Sequence, residues 1–152
     1  MHRTKNKTPS LSETIKTEIV CPNDTNPVGI LMGGRLVEWM DVAAAVCAQI
    51  HSDKVCVTAM INKVSFREAA KVGDVITIRA KITRAFRTSM EIKVTATARN
   101  YLSANIYEIS DAYFTFVGLN DRGKSTEVPT VNPESECEKF EYEQALVRKN
   151  AG

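Results

Sequence analysis

The spacing of apolar residues along the chain changes from two to three-and-four and back, and the changes mark out the elements. "TIKTEIV" (14–20) alternates loosely as a short strand does, and "CPNDTNP" behind it has turn chemistry. From about Gly34 to His51 the chain has helical length, an alanine-rich composition, glycines in front and no proline inside. Leu36, Met40, Ala43, Cys47 and Ile50, three and four apart, form the face predicted to lie on a sheet, with Trp39 as core beside them. "KVCVTAMINKVSF" (54–66) is rich in β-branched residues, and "VGD" (72–74) turns the chain into "VITIRAKITR". There Ile76, Ile78, Ala80 and Ile82 share one face, and Thr77, Arg79, Lys81 and Thr83 the other. In "SMEIKVTATAR", Met90, Ile92, Val94, Ala96 and Ala98 oppose Glu91, Lys93, Thr95 and Thr97, so each of these strands is predicted to have one wet face. "SDAYFTFVGL" (110–119) is apolar on both faces and belongs nearer the middle of the sheet. "NDRGKSTEVP" is a turn, and "PESECEKFEYEQALVRK" reads as a polar, moderately amphipathic final helix.

The order is therefore one short strand, one long helix and four longer strands predicted to run as an antiparallel meander. The class is α+β, a sheet of about five antiparallel strands wrapped around one long central helix. Such a sheet leaves edges and a second face to cover, which favours self-association. Residues 1–13 are expected to be a flexible tail, 14–133 the domain, and 134–152 a helical tail. A chain of 152 residues has room for one core.

Composition narrows the chemistry. At 43% hydrophobic and 25% charged the chain is an ordinary globular protein, and no stretch reaches the roughly 18 apolar residues of a membrane span. A net charge of +2, with no aromatic residues interleaved in a basic stripe, gives no argument for nucleic acid. "MHRTKNKTPSL" is basic but is followed by no apolar run, so a cytoplasmic location is expected. Cys21, Cys47, Cys56 and Cys137 lack metal-ligand spacing and are read as reduced packing residues. With His2 in the tail and His51 at the end of the apolar run, metal sites built on histidine and Ser-His-Asp triads lack ingredients.

Within "DTNPVGILMGGRLVEWMDVAAAVCA" (24–48), Asp41 is the one charged side chain between Trp39 and Ala48. On a helical wheel it falls about 100° from Met40 and about 60° from Glu38, at the flank of the core stripe. Partial burial there disfavours the charged form, which suits a group that takes a proton; equally, an aspartate at that place can satisfy neighbouring backbone. Gly33 and Gly34 admit two readings as well: a tight entry into the helix, or a close approach for a ligand whose developing oxyanion meets the free N–H groups of the first turn. Asn26 and Asp24 read locally as a turn residue and a loop cap.

Taken together, "PNDTNPVGILMGGRLVEWMD" (22–41), "FREAAKVGDVI" (66–76) and "DAYFTFVGLNDRGKS" (111–125) resemble the acyl-CoA thioesterases of the hotdog fold, in the acyl-CoA hydrolase branch. The similarity covers roughly residues 14–133, and the P-x-D-x-N-x-x-G-x-x-x-G-G-x-x-x-x-x-M-D pattern is specific. The resemblance implies hydrolysis of acyl-CoA to CoA and a carboxylic acid, without cofactor or metal. It implies that Asp41 activates water or attacks directly, that Asn26 faces it from the partner subunit, and that the helix start at Gly33 and Gly34 polarises the thioester carbonyl. Homodimers, grouped as trimers of dimers, are the implied assembly. "AFRTS" (85–89) and "RGKS" (122–125) match the family's CoA regions, which gives Arg87, Thr88, Ser89, Arg122, Gly123, Lys124 and Ser125, with Arg84, as CoA-binding residues. A thioester has a good leaving group, so one carboxylate and an oxyanion site suffice without histidine. The chain departs from the family pattern at Pro27, Thr88 and Lys124. A non-catalytic acyl-CoA-binding protein of the same fold would be expected to add a DNA-binding segment or lose the acid, and neither feature is present. A dehydratase of this fold would want a histidine at the helix start, and His51 lies at the far end.

Overall fold

The alternation at 76–82 and 90–98 becomes the inner face of a curved antiparallel sheet: Ile76, Ile78, Ala80, Ile82, Met90, Ile92, Val94, Ala96 and Ala98 are all at most 2% exposed. The structure, a computed structural model, describes residues 6–152; His2 lies outside them. The elements are β1 (Thr14–Ile19), α1 (Gly33–Ser52), β2 (Val55–Phe66), β3 (Val75–Ala85), β4 (Ser89–Arg99), β5 (Ile106–Leu119) and α2 (Glu136–Ala151). The strand order is β1-β3-β4-β5-β2, with every neighbour antiparallel.

Only β3, β4 and β5 form a meander. The predicted meander of four strands is corrected at β2, which pairs with β5 and not with the strand that follows it, leaving β1 and β2 as the two edges. The β2–β3 connection crosses the open end of the sheet and is tied to the loop before α1 by Leu31 N–H donating to Ala70 O at 2.8 Å. β5 begins four residues earlier than its apolar run, at Ile106; it lies between β4 and β2, and its burial alternates, with Ala112, Phe114 and Phe116 buried and Tyr113, Thr115 and Val117 on the other face half-buried.

α1 lies in the hollow of the sheet. Leu36, Met40, Ala43 and Cys47 are buried as expected, and Trp39, Ala44, Ala48 and His51 complete the inner face. Ile50 is not part of it: it is 49% exposed. A seven-residue step falls about 20° short of two full turns, so Leu36, Ala43 and Ile50 drift around the helix until the last leaves the core. Fully burying side chains such as Phe114, Phe116 and Ile78 contributes about 1.5–3 kcal/mol each, which makes this interior the main source of stability. The helix ends where Asp53 adopts φ 58°, its N–H donating to Gln49 O at 2.8 Å.

α2 packs on the opposite face of the sheet, so the faces expected to be wet are partly covered. Lys81 pairs with Glu138 and Lys93 with Glu141, both at 2.8 Å, and Arg148 grips Glu91 by two bonds of 2.9 and 2.8 Å. Ser135 caps α2, accepting from Glu138 N–H, which is the reason the helix starts there. Residues 6–13, inside the segment expected as a tail, are bound to the domain: Lys7 N–H donates to Thr130 O, and its ammonium reaches His51 O and Asp53 at 2.9 Å. Of the cysteines, Cys47 is in the core, where burial pushes its thiol up to about 11, and Cys56 is half-buried; Cys21 and Cys137 are exposed and do not pack as expected.

Candidate active site

The loop before α1 is fixed by its own polar side chains. Asp24, 8% exposed, accepts from Cys21 N–H at 2.8 Å, and Arg35 Nε lies 3.4 Å from its other oxygen. Asn26 Oδ1 accepts two backbone N–H groups, from Val28 at 3.0 Å and Ile30 at 3.1 Å, while Asn26 N–H donates to Ile30 O at 2.9 Å. Both acceptor positions of the Asn26 carbonyl are thereby used, and its NH₂ group is left with two donors that no described residue accepts.

α1 starts without a side-chain cap. Met32 is the N-cap, no acid occupies the first turn, and the first intrahelical bond runs from Leu36 N–H to Met32 O at 3.1 Å. The N–H groups of Gly33, Gly34 and Arg35 therefore have no backbone acceptor among the described residues, and the positive end of the helix dipole adds to them. Gly33 has a second role in packing: a Cβ there would stand 3.3 Å from the ring of Phe66, so the missing side chain lets the ring lie against the helix start. Around Gly34 a Cβ would meet nothing.

Two turns further on, about 10 Å along the axis, Asp41 stands half-buried at the flank of the core stripe. Its Oδ1 accepts the Thr58 hydroxyl of β2 at 2.7 Å, a short bond of the charge-assisted kind. Thr58 is a site residue that the sequence did not reveal, since threonine in a β-branched strand is an ordinary strand former. Asn26 and Asp41 make no hydrogen bond to each other within the chain. His51, at the far end of α1, is 1% exposed; Nε2 lies 2.9 Å from Pro129 O, Nδ1 has no partner among the described residues, and burial holds its pKa below the usual value.

The two basic turns are adjacent. Gly118 N–H donates to Thr88 O at 3.1 Å and Val128 N–H to Arg87 O at 3.0 Å, joining the 85–89 turn to the segment around 118–128. Asn120 Oδ1 accepts from Arg122 N–H and Lys124 N–H, and Gly123 takes φ 75° to close that turn. Arg87, Arg122, Gly123, Lys124 and Ser125 are exposed, Thr88 and Ser89 half-buried, and the three cations make no ion pair among the described residues. Arg84 leaves this group: its guanidinium donates to Tyr142 O at 3.1 Å and lies 4.0 Å over the Tyr142 ring.

The outer side of the site is apolar and open. On α1, Val42, Val46 and Ile50 are 40–49% exposed at spacings of four, on the side away from the sheet. On the edge strand β2, Val55, Val57, Met60 and Phe66 are exposed as well. A helix that is apolar on both sides is one that is covered on both sides.

Residues 28–101 match the Thioesterase superfamily model. Cytosolic acyl coenzyme A thioester hydrolase of Rattus norvegicus is 34% identical over 143 residues, which are 93% of this chain and 38% of that protein. The chain spans 23–38% of the mammalian relatives it matches. An uncharacterized acyl-CoA thioester hydrolase of Bacillus subtilis is 31% identical over 139 residues, 91% of this chain and 81% of that protein. Among solved structures, an apo-hexameric acyl-CoA thioesterase superimposes with a TM-score of 0.94 at 35% identity, covering 97% of this chain and 95% of that one. An acyl-CoA hydrolase of Staphylococcus aureus in complex with butyryl coenzyme A and coenzyme A superimposes at 0.87 with 34% identity, covering 95% and 90%; variants of it with an aspartate, an asparagine or a threonine replaced by alanine are also known. With the wrapped helix, the strand order and this similarity over nearly its whole length, the chain belongs to the hotdog-fold acyl-CoA thioesterases of the Thioesterase superfamily.

Proposed function

We propose that the protein hydrolyses acyl-CoA thioesters to CoA and a carboxylic acid. The observation that carries this reading is the Asp41 carboxylate, held by Thr58 two turns from an uncapped helix start. A carbonyl oxygen seated on the N–H groups of Gly33 and Gly34 becomes more electrophilic at carbon. Asp41 takes a proton from water as the oxygen attacks, the tetrahedral oxyanion is held by the same N–H groups, and its collapse expels the CoA thiolate. Direct attack by Asp41, with water cleaving the resulting anhydride, uses the same carboxylate; oxygen-18 incorporation into the enzyme in a single turnover separates the two. No cofactor enters the reaction.

In this reading Asn26 belongs to the partner's site. Its unused NH₂ donors, the lack of any bond to Asp41 in the same chain, and the open apolar surface of α1 and β2 support a homodimer formed across that surface. The hexameric relatives support a trimer of such dimers. The asparagine, aspartate and threonine replaced in the Staphylococcus aureus hydrolase have the same separations along the chain as Asn26, Asp41 and Thr58, which supports one constellation of three. Arg87, Thr88, Ser89, Arg122, Gly123, Lys124 and Ser125 bind the phosphates of CoA; Arg84, occupied by Tyr142, does not. The cytosolic relative supports action in the cytoplasm.

The test is release of free thiol from a panel of acyl-CoAs. Asp41→Ala should lower kcat by on the order of 10²- to 10⁴-fold. An Asp41→Ala enzyme as fast as wild type refutes the mechanism.

A further inference from the structure

The turn between β3 and β4, which carries Arg87, Thr88 and Ser89, is held by two sets of contacts. The first is backbone: Phe86 N–H donates to Ser89 O at 2.7 Å, and the segment around 118–128 binds Arg87 O and Thr88 O. The second comes from α2, on the face of the sheet opposite α1. The ammonium of Lys149, in the last turn of α2, lies 4.5 Å over the ring of Phe86. The Arg84 guanidinium lies 5.7 Å over the same ring and is itself seated on α2, by the Tyr142 ring and the Tyr142 carbonyl. The end of the helix is fixed where it meets the turn: Arg148, next to Lys149, is bound twice to Glu91, two residues beyond Ser89. Lys149 is exposed and Phe86 half-buried.

We infer that α2 positions the 85–89 turn for the phosphates of CoA, with Lys149 and Arg84 acting through the ring of Phe86. The inference rests on the phosphate-binding reading of that turn. Arg87 is exposed, and a flexible cation on an exposed turn loses freedom when it grips a ligand. A turn already set in its bound shape carries less of that cost, so affinity rises without any new contact to the ligand. Phe86 is the one aromatic residue of the turn, and a cation over its face fixes the ring and, with it, the backbone that presents Arg87, Thr88 and Ser89. Lys149, Arg84 and Tyr142 are positioning residues and not catalytic ones. The groups proposed for the chemical step, Asp41, Gly33 and Gly34, all belong to α1, on the other face of the sheet. Loss of the clamp therefore weakens binding of the nucleotide end of the substrate and leaves the chemical step alone.

The experiment compares one acyl-CoA with the N-acetylcysteamine thioester of the same acyl group, which lacks the phosphates. The enzymes are wild type, Lys149→Met, Lys149→Arg, Phe86→Leu and the double variant Lys149→Met/Phe86→Leu. Lys149→Met and Phe86→Leu should each raise KM for the acyl-CoA about two- to fivefold, the range of one exposed cation–π contact, with kcat unchanged. Lys149→Arg should keep the wild-type KM. The double variant should be no worse than Phe86→Leu, because Lys149 then has no ring to act on. With the truncated thioester, kcat/KM should be the same for all five enzymes. Losses that add in the double variant, which mark Lys149 as an independent charge, overturn the inference. So does an unchanged KM in Phe86→Leu, or an equal loss with both thioesters, which marks a general loosening of the fold. A wild type that handles acyl-CoA no better than the truncated thioester refutes the phosphate-binding reading instead, and no turnover of either substrate refutes the thioesterase reading.

Discussion

Replacing Arg148 by methionine removes the guanidinium that holds α2 to the sheet and leaves Glu91 behind in a site only 7% exposed. In the native arrangement Glu91 takes two charge-assisted bonds from Arg148, at 2.9 and 2.8 Å, and a third from Thr83 Oγ1 at 2.5 Å. Arg148 also lies 3.8 Å over the ring of Tyr113 and 3.3 Å from Glu141. Breaking a buried pair from one side costs about 3–5 kcal/mol, because the remaining charge is neither solvated nor paired. For a chain of this size each kcal/mol lowers Tm by about 2–4 °C, so Arg148→Met should lose about 6–20 °C. The reverse change, Glu91→Gln, leaves Arg148 with Glu141 and Tyr113 and a neutral amide in the pocket, and should cost about 1–2 kcal/mol. Urea unfolding of both variants measures the two values. An Arg148→Met variant within about 1 kcal/mol of wild type, the level of an exposed pair, refutes the reasoning.

Thr58→Val keeps the shape of the side chain and deletes its bond to Asp41; kcat/KM for acyl-CoA should fall about 10- to 100-fold with the fold intact, and an unchanged value means the bond does not hold the carboxylate for reaction. His51 is buried with its pKa lowered, mainly by desolvation; Lys7 lowers it further, while the bond to Pro129 O and the charge of Asp53 raise it. The unfolded chain, with a histidine near 6.5, then binds the proton more readily than the folded one. Stability is present above about pH 6.5 and is lost as pH falls, by up to about 1.4 kcal/mol per unit, until the folded form itself takes the proton. His51→Leu should flatten that part of the urea midpoint profile between pH 5 and 7.5, and a profile parallel to wild type contradicts the assignment.

Most of the fold was legible because strand alternation is a local signal: Ile76 to Ile82 and Met90 to Ala98 show their inner face in the residues themselves. The partner of β2 was not legible, since pairing with β5 is a matter of which edge is free once β3, β4 and β5 have joined. Ile50 was misplaced because spacing alone hides the slow drift of a seven-residue step around the helix. In the site, Asp41 stood out as an acid on an apolar helix and Gly33 and Gly34 as a tight helix entry or a place for a ligand to approach, while the missing side-chain cap appears only in the structure. Thr58 and Arg84 did not separate from ordinary strand residues, because their roles depend on what faces them: Thr58 meets Asp41 across the groove between α1 and β2, and Arg84 is taken up by Tyr142 of α2.

The central claim is that one carboxylate and an amide from the neighbouring subunit act together on a thioester. Mixing two inactive forms, Asp41→Ala and Asn26→Ala, by co-expression or subunit exchange tests it most directly. If each site takes its aspartate from one chain and its asparagine from the other, half of the random dimers contain one intact site of two, and about one quarter of wild-type acyl-CoA hydrolysis returns. If the mixture stays as inactive as its components while exchange is shown to be complete, the two residues belong to the same chain's site and the account fails.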